Sequence, residues 1–425
     1  MITWCQANTI PAIKNASRAS NEKKSETTDD DAATIQIQSI TSQVSSWMKD
    51  KRKKDKKRNN YQDIEEDIPL QRQQQYIQKD ILSRPFVTLS YAQTLDGMIA
   101  ALQHTGISDG GTTTSTSSNL LLSCPESMSL THHLRNMHDA ILVGGSTFLS
   151  DKPRLNCRLQ SLITVDDPMP IVLDTHLNNL QRLLFDEIVS IESEEKDTTL
   201  PDINIDTIKA DNPIFCCSSN AAKSFLDTLE VFQEQQETKR KRRKSYKITV
   251  CKKIDVNGDH ERDIYLPIKI TIHVTTHNKK SEDDTVQDIT LTLLPCQVHT
   301  HTKSLDLKHV LHELYNQFAI ESIMVEGGAA ILSSFMNECV DTNDDNSKVV
   351  DCICITTAPK IIGGKWGLPA FSGLDVPCIG DGDTSVKNSD HSEDGSDRML
   401  QPGMVNFKDC EFKSLGNDSI FLGRI

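Results

Sequence analysis

The chain has 425 residues, a formal net charge of −14 and a hydrophobic share of 37%. Ordinary globular domains are about 45–50% apolar, so part of this chain is predicted to be solvated rather than packed in a core. The negative charge argues against a protein that binds nucleic acid over its whole surface. No window reaches about 18 uncharged apolar residues, which excludes a predicted membrane span.

The first 80 residues are polar and show no hydrophobic periodicity. Such a segment buries too little apolar surface to offset its chain entropy, so residues 1–80 are predicted to be a disordered tail. The basic run KRKKDKKR at 51–58 is interpreted as a solvated run, with a nuclear-localisation signal as the alternative. Twelve cysteines without a C-x-x-C pair indicate reduced thiols in a cytosolic or nuclear compartment.

From Pro85 onward, apolar runs alternate with helical patterns, which predicts an α/β fold with a mostly parallel sheet and right-handed crossovers. Residues 104–118 are predicted to be a loop, and residues 81–425 a single domain with surface insertions near 185–210, 232–246, 276–288 and 376–403. Predicted helices begin at Pro125 and cover 304–319 and the end of 321–336. Predicted strands cover 85–92, 139–145, 170–174, 213–219, 247–250, 268–274, 289–294, the start of 321–336, 349–356 and a C-terminal antiparallel hairpin.

The segment 142–158 follows a predicted strand, at the carboxyl end where α/β sheets place their ligands. Its two glycines, Gly144 and Gly145, let backbone approach a ligand. The Thr147 hydroxyl is a candidate donor, and the Asp151 carboxylate is a candidate acceptor for a ribose or amide group. Its two arginines are candidate phosphate clamps, because a guanidinium pairs bidentately with oxyanions. A tight turn with two solvated arginines, Arg154 and Arg158, is the alternative interpretation.

A second segment, VEGGAAI at 325–331, joins a predicted strand to a predicted helix. Gly327 and Gly328 leave no Cβ in the way of a phosphate, and the helix N-terminus adds a partial positive charge. The segment matches neither G-x-G-x-x-G nor a P-loop, so a simple strand–helix turn is the alternative. Glu326, at the strand end, is expected beside the ligand.

Two weaker signals accompany these segments. The strand that ends at Asp96-Gly97 resembles the start of any hairpin. The histidines 132, 133 and 138 lack H-x-x-x-H spacing and are interpreted as surface residues rather than metal ligands.

Taken in chain order, these motifs resemble the riboflavin-pathway reductase family, whose dihydrofolate-reductase-like domain follows the deaminase in bacterial bifunctional enzymes. The similarity is greatest to the stand-alone fungal type and covers residues 85–425 discontinuously. The motifs are TLDG (94–97), HLRNMHDAILVG (133–144), T-x-x-x-D-x-P-x-L-N-x-R (147–158), PIVLD (170–174), VEGGA (325–329) and A-P-x-I-I-G-G (358–364).

The resemblance implies reduction of 2,5-diamino-6-ribosylamino-4(3H)-pyrimidinone 5′-phosphate to the ribitylamino compound. NADPH is the implied cofactor, with NADH as the alternative, and a homodimer is the implied oligomeric state. A cytoplasmic location is expected, with nuclear entry as the alternative. By their matching positions, the implied cofactor residues are Thr147, Asp151, Gly327, Gly328, Ala329, Ala330 and Ile331. The implied substrate residues are Arg135, Leu155, Arg158 and Glu326. The resemblance does not support a phosphate role for Arg154, and Met98 stands where many members carry a basic residue.

Three other functions are weighed against this one. A fused zinc deaminase needs H-x-E followed by P-C-x-x-C, and the sequence contains no P-C-x-x-C. A reductase of another pterin or pyrimidine shares the fold, but the T-x-x-x-D-x-P motif and the arginines argue against dihydrofolate reductase. A nuclear protein that binds nucleic acid would use the basic runs at 51–58 and 239–244, which are short footprints in an acidic chain.

Overall fold

The computed structural model describes residues 29–62, 83–107, 113–118, 121–159, 167–185, 207–238, 244–252, 265–276, 285–340, 348–371, 375–376, 401–402 and 405–425. Across these ranges no helix is long and apolar enough to cross a membrane. The described helices are α1 (Asp29–Gln62), α2 (Pro125–Met137), α3 (Gly145–Asp151), α4 (Asn178–Phe185), α5 (Ser219–Thr238), α6 (Leu307–Phe318) and α7 (Ala329–Asn337). The described strands are β1 (Phe86–Thr94), β2 (Met98–Ile107), β3 (Thr113–Ser118), β4 (Ala140–Gly144), β5 (Met169–Leu173), β6 (Ile214–Ser218), β7 (Lys244–Lys252), β8 (Ile268–Thr276), β9 (Thr285–Cys296), β10 (Ser322–Val325), β11 (Cys352–Ala358), β12 (Gly367–Pro369), β13 (Asp375–Val376), β14 (Gln401–Pro402), β15 (Lys408–Leu415) and β16 (Asp418–Arg424).

Eleven of these strands form one sheet in the order β15–β16–β11–β1–β10–β4–β5–β6–β9–β8–β7. The six pairs from β11 to β9 are parallel. Two antiparallel pairs complete each edge. The predicted α/β class with a mostly parallel centre is confirmed, and the C-terminal hairpin forms one of the antiparallel edges as predicted.

Helices cover both faces of the sheet, because successive side chains of a buried strand point in opposite directions. In β4, Leu142 packs in the core formed with α6 and α7. Its neighbours Ile141 and Val143 pack in the core formed with α3, α4 and α5. A third core lies beneath α1 and α2, where β1, β10, β11 and β16 contribute side chains such as Phe86 and Met324.

Helix α1 corrects the prediction of a disordered tail over residues 1–80. Ile40, Val44 and Trp47 are buried against α2 and the C-terminal strands. Their spacing of three to four residues is helical, but so few apolar positions in a polar segment do not establish a core-facing stripe from sequence. These three side chains become a core-facing stripe because α2 and the sheet present an apolar surface to them. Residues 1–28 and 63–80 of the predicted tail lie outside the described residues.

The basic run at 51–58 begins with a residue that holds α1 to the sheet. Lys51 Nζ lies 3.1 Å from Asp351 Oδ2 and donates to the Pro85 carbonyl at 2.9 Å. Arg84 Nη1 lies 2.6 Å from the same carboxylate oxygen. Burial alone would raise the pKa of Asp351, but the charges of Arg84 and Lys51 outweigh it and lower the pKa to about 2. Lys51 is therefore an internal contact, which differs from both sequence interpretations of the run.

Three predicted loops are partly regular structure. Residues 104–118 were expected to be a loop, but β2 and β3 pair antiparallel there, with Leu102 opposite Ser117. In the predicted insertion 232–246, α5 continues to Thr238 with Phe232 fully buried, and β7 begins at Lys244. In 276–288, residues 285–288 belong to β9. The charged and Thr/Ser-rich composition of these segments gave no sequence signal for strands or helices. They form because sheet pairing and tertiary packing outweigh local polarity. The remaining parts, 186–206, 239–243, 277–284 and 377–400, lie outside the described residues.

We predict that Trp47→Ala destabilises the protein by about 3–5 kcal/mol, the usual effect of truncating a buried aromatic residue. Trp47 is 3% exposed, whereas Ile35 on the same helix is 57% exposed. Ile35→Ala is the matched control and should change stability by less than about 0.5 kcal/mol. Urea denaturation followed by circular dichroism measures both. Equal and small effects would mean that α1 does not pack on the domain in solution.

Candidate active site

Four neighbouring strands bring the sequence motifs to one edge of the sheet. Strands β11, β1, β10 and β4 lie side by side and run parallel. Their carboxyl ends therefore share one edge, which is where open α/β sheets bind ligands. The segments that follow them are 358–364, 94–97, 326–330 and 144–158 respectively. Motifs that are up to about 260 residues apart in sequence thus meet at a single place.

Two glycine turns pack against each other at this edge, one from β4 into α3 and one from β10 into α7. A Cβ on Gly144 would lie 2.7 Å from Ile331 Cγ1, and a Cβ on Gly327 would lie 3.2 Å from Ile331 Cβ. The side chain of Ile331 therefore fits against both turns. A Cβ on Gly328 would meet only Thr147 Oγ1, at 3.6 Å. The Thr147 hydroxyl therefore lies beside the start of α7, at an ordinary contact distance from the position of that Cβ.

Asp151 ends α3, one helical turn after Thr147, and is 6% exposed. Its Oδ1 accepts a hydrogen bond from Ser150 Oγ at 3.0 Å. Its Oδ2 is buried and has no hydrogen-bond partner among the described residues. Burial raises the pKa of this carboxyl, and the Ser150 hydrogen bond opposes the shift. A buried acceptor without a partner is costly, so Asp151 is suited to accept from a bound ligand.

Arg135 of α2 and Glu326 at the end of β10 form a buried ion pair. Arg135 is 1% exposed and Glu326 is 4% exposed. Arg135 Nε donates to Glu326 Oε1 at 2.7 Å, and Nη2 donates to Oε2 at 2.6 Å. The remaining arm, Nη1, donates to the backbone carbonyl of Asn156 at 3.1 Å. One guanidinium thereby joins α2, the strand end and the segment that follows α3.

The segment 152–159 is irregular but firmly attached to α2. Leu155 is buried and has a left-handed backbone, with φ of 52°. Cys157 Sγ donates to the His132 carbonyl at 3.3 Å, and the Arg158 amide donates to His132 Nδ1 at 3.3 Å. Arg154 is exposed. Of the two arginines that spacing alone proposed, only Arg158 has its backbone fixed beside the buried pair.

The structure corrects the prediction that the three histidines lie at the surface. His132 and His138 are buried, and only His133 is partly exposed. Burial, reinforced by the charges of Arg135 and Arg158, lowers the pKa of His132 to about 3. Burial lowers the pKa of His138 to about 4, and its ring nitrogens contact Thr88 Oγ1 and the Leu134 carbonyl. Within the described residues no group of histidine, cysteine and carboxylate side chains could hold a metal ion.

The turn at 94–97 is joined to the glycine turn that follows β11. Asp96 accepts hydrogen bonds from the amides of Ile362, at 3.3 Å, and Gly363, at 2.7 Å. Hydrogen bonds lower the pKa of Asp96; the one from the Thr94 hydroxyl has the largest effect, and the one from the Gly363 amide the next largest. Met98, where the resemblance led us to expect a basic residue, packs so closely on Gly367 that a Cβ there would clash with it.

Reasoning from residue types alone did not find Arg135 or Asn156. An arginine on a polar helix face resembles a solvated residue, and nothing in the local sequence marks its partner 191 positions away. Asn156 resembles an ordinary loop residue. The resemblance to the reductase family supplied Arg135, and tertiary structure alone draws attention to Asn156.

The chain belongs to the family described as the RibD C-terminal domain, whose model matches residues 85–231 and 203–400. These matches span the whole set of strand-end motifs.

Curated relatives match a shorter stretch. The chain is 42% identical over 91 residues to 2,5-diamino-6-ribosylamino-4(3H)-pyrimidinone 5′-phosphate reductase of Saccharomyces cerevisiae, which covers 21% of this chain and 32% of that protein. It is 37% identical over 102 residues to the reductase of the same name from Debaryomyces hansenii, covering 24% and 36% of the two chains. The chain thus spans about a third of the length of these relatives.

A solved structure of the Saccharomyces cerevisiae riboflavin biosynthesis reductase aligns with a TM-score of 0.39 and 18% identity, over 80% of this chain and 90% of that one.

We predict opposite outcomes for two glycine substitutions at this edge. Gly144→Ala should destabilise the protein by about 1–3 kcal/mol, because its Cβ collides with Ile331. Gly328→Ala should change stability by less than about 0.5 kcal/mol, since its Cβ meets only an ordinary contact. Urea denaturation compares the two variants under identical conditions. A Gly328→Ala variant as unstable as Gly144→Ala would contradict the packing of the two turns.

Proposed function

We propose that the protein reduces 2,5-diamino-6-(5-phospho-D-ribosylamino)pyrimidin-4(3H)-one to the ribitylamino 5′-phosphate with NADPH, as an oxidoreductase of riboflavin biosynthesis. The observation that carries the proposal is the meeting of the motif-bearing strand ends beside Asp151 Oδ2, a buried oxygen that has no hydrogen-bond partner in the described part of the chain. The names of the fungal relatives support the same reaction. Family membership supports the reductase assignment over a dihydrofolate reductase or a nucleic-acid-binding protein.

The residues on the α3 and α7 side fit a nicotinamide dinucleotide. Asp151 offers a buried acceptor for a ribose hydroxyl or an amide, and Thr147 offers a hydroxyl one helical turn away. The turn at Gly327 and Gly328, continued by Ala329, Ala330 and the packed Ile331, leaves backbone accessible to a pyrophosphate. When bound, the cofactor supplies the hydride that reduces the substrate.

The residues on the α2 side fit the phosphorylated substrate. Arg158 is the proposed phosphate contact, because its backbone is fixed by α2 and its guanidinium can pair bidentately with an oxyanion. Arg135 and Glu326 form two hydrogen bonds with each other. We therefore assign this ion pair, which is neutral overall, to orienting the segment 152–159 beside the substrate. Leu155 is buried in the core formed with α3, α4 and α5, so we assign it to holding the left-handed bend that precedes Arg158.

The chain then acts mainly by placing two ligands against each other and excluding water. Opening of the ribosylamine ring gives an imine at the first carbon of the sugar. Reduction adds a hydride to that carbon and a proton to the nitrogen. Glu326 and Arg135 remain a closed ion pair in this scheme, while Arg158 and Asp151 contact opposite ligands from the same short segment.

The direct test is loss of nicotinamide absorbance when the purified protein is given NADPH and the ribosylamine substrate. We expect substrate-dependent oxidation, faster with NADPH than with NADH, and none with dihydrofolate. Oxidation with dihydrofolate alone would assign the protein to the other reductase class. DNA affinity that persists at about 200 mM salt would favour the nucleic-acid function, because purely phosphate-driven binding weakens steeply with salt.

We further propose a homodimer located in the cytoplasm, as the resemblance to the family implies. Light scattering coupled to size-exclusion chromatography tests the first statement. Localisation of a fluorescent fusion, with and without residues 53–58, tests the second and the signal role of the basic run.

We predict that Thr147→Ala and Asp151→Ala each raise the NADPH dissociation constant about tenfold, which corresponds to loss of one hydrogen bond of about 1–2 kcal/mol. Isothermal titration calorimetry measures the constants, and urea denaturation verifies that both variants fold. Asp288→Ala, an exposed carboxylate on β9, is the control and should leave cofactor binding unchanged. Wild-type affinity in both site variants would remove these residues from the cofactor site.

We predict that Arg158→Ala raises the KM for the substrate about tenfold or more while NADPH affinity changes less than twofold, since a charge-assisted hydrogen bond contributes about 1.5–3 kcal/mol. Arg154→Ala provides the comparison, because Arg154 is exposed on the same segment. It should alter the KM by less than about twofold. Steady-state kinetics at saturating NADPH distinguishes the two. A larger rise in KM for Arg154→Ala than for Arg158→Ala would instead favour Arg154 as the phosphate contact.

A further inference from the structure

Asn156 holds a buried polar atom that the proposed mechanism does not use. Its Oδ1 is buried and, across the part of the chain that the structure describes, has no hydrogen-bond partner. An unsatisfied buried acceptor destabilises the folded state, and such atoms are few in folded proteins. Asp151 Oδ2, only five residues earlier, shares this property. Both oxygens therefore lie in the short segment between α3 and Arg158.

The backbone around Asn156 is held in place on both sides. Leu155 before it is buried with φ of 52°, a conformation that is rare for a residue with a branched side chain. Arg135 Nη1 fixes the carbonyl of Asn156 itself. Cys157 after it donates its amide to Asp167 Oδ1 at 2.9 Å. Strain and unsatisfied polar atoms of this kind concentrate where a ligand completes the structure.

We propose that the side-chain carbonyl of Asn156 accepts a hydrogen bond from the 2-amino group of the pyrimidinone, which makes Asn156 a specificity-determining residue. This inference rests on the proposed function. A carbonyl oxygen attracts an N–H donor and repels another carbonyl. The residue would thus favour the 2-amino substrate over the corresponding 2-oxo compound, in which that donor is replaced by an acceptor.

The neighbours of Asn156 assign it to the substrate rather than to the cofactor. Its carbonyl contacts Arg135, and the residue two positions later is Arg158, the proposed phosphate contact. Asp151 and Thr147 lie at the other end of the segment, on α3, beside the glycine turn of α7. Asn156 consequently belongs to the substrate end of the segment, where an acceptor oxygen matches the N–H donors of the heterocycle.

The test compares Asn156→Leu and Asn156→Asp with the wild-type protein on two substrates, the 2-amino pyrimidinone and its 2-oxo analogue. We expect Asn156→Leu to raise the KM for the 2-amino substrate about tenfold, and to reduce the preference for it over the 2-oxo analogue by a similar factor. The kcat and the NADPH dissociation constant should change less than twofold. Asn156→Asp keeps an acceptor oxygen and should retain the preference. Asn316→Leu, the same chemical change on the exposed face of α6, is the control.

Several results would overturn the inference. An unchanged substrate preference in Asn156→Leu would remove the specificity role, even if the KM rose. A parallel loss of NADPH affinity would assign Asn156 to the cofactor. A fall in the urea midpoint matching the kinetic loss would make the residue structural. Failure of the proposed function has a separate signature, because the wild-type protein would then neither oxidise NADPH with the 2-amino substrate nor bind the ribitylamino product in calorimetry.

Discussion

The ion pair between Arg135 and Glu326 is the interaction on which the arrangement of this site depends. Two charges with almost no solvent contact are costly to bury, and their attraction offsets that cost only when every donor arm is used. Here two arms of the guanidinium meet the carboxylate and the third meets the Asn156 carbonyl. Removing either partner would leave an uncompensated buried charge, so the pair fixes the relative positions of α2, the end of β10 and the segment 152–159.

A second, partly buried carboxylate has the same role at the amino end of the parallel strands. Asp351 precedes β11 and receives Lys51, Arg84 and the amide of Val87. Its pKa stays near 2 because those charges outweigh desolvation. In this way a polar helix that contributes few apolar residues is held against the domain by a short apolar stripe and one ion cluster. The low hydrophobic share of the chain is therefore compatible with a helix that packs, and it does not imply a tail without structure over 29–62.

The proposed function places both ligands on one short segment, with Asp151 at its start and Arg158 at its end. Because His132 and Arg135 hold the backbone between them, the distance between the cofactor side and the substrate side is set by α2 rather than by the ligands. Preorganisation of this kind favours catalysis by positioning, since the entropy of bringing the reactants together is lost before the reaction begins. Asp151 and Asn156 each keep a buried oxygen without a partner among the described residues, which destabilises the fold locally. In the proposed function this instability is offset when the ligands bind.

The sequence by itself determined the alternation of strands and helices, because buried parallel strands and amphipathic helices such as α6 have distinct periodicities. It also indicated which strand ends are candidates for chemistry, because glycine turns, Thr147 and Asp151 follow apolar runs directly. Tertiary structure decided what periodicity does not encode: the burial of α1, the pairing of β2 with β3, and the burial of His132 and His138. It alone decided that Arg135 closes on Glu326 and that a buried acceptor at Asn156 has no partner among the described residues. The physical reason is that each of these depends on a partner far away in sequence, whose position is set only when the sheet has assembled.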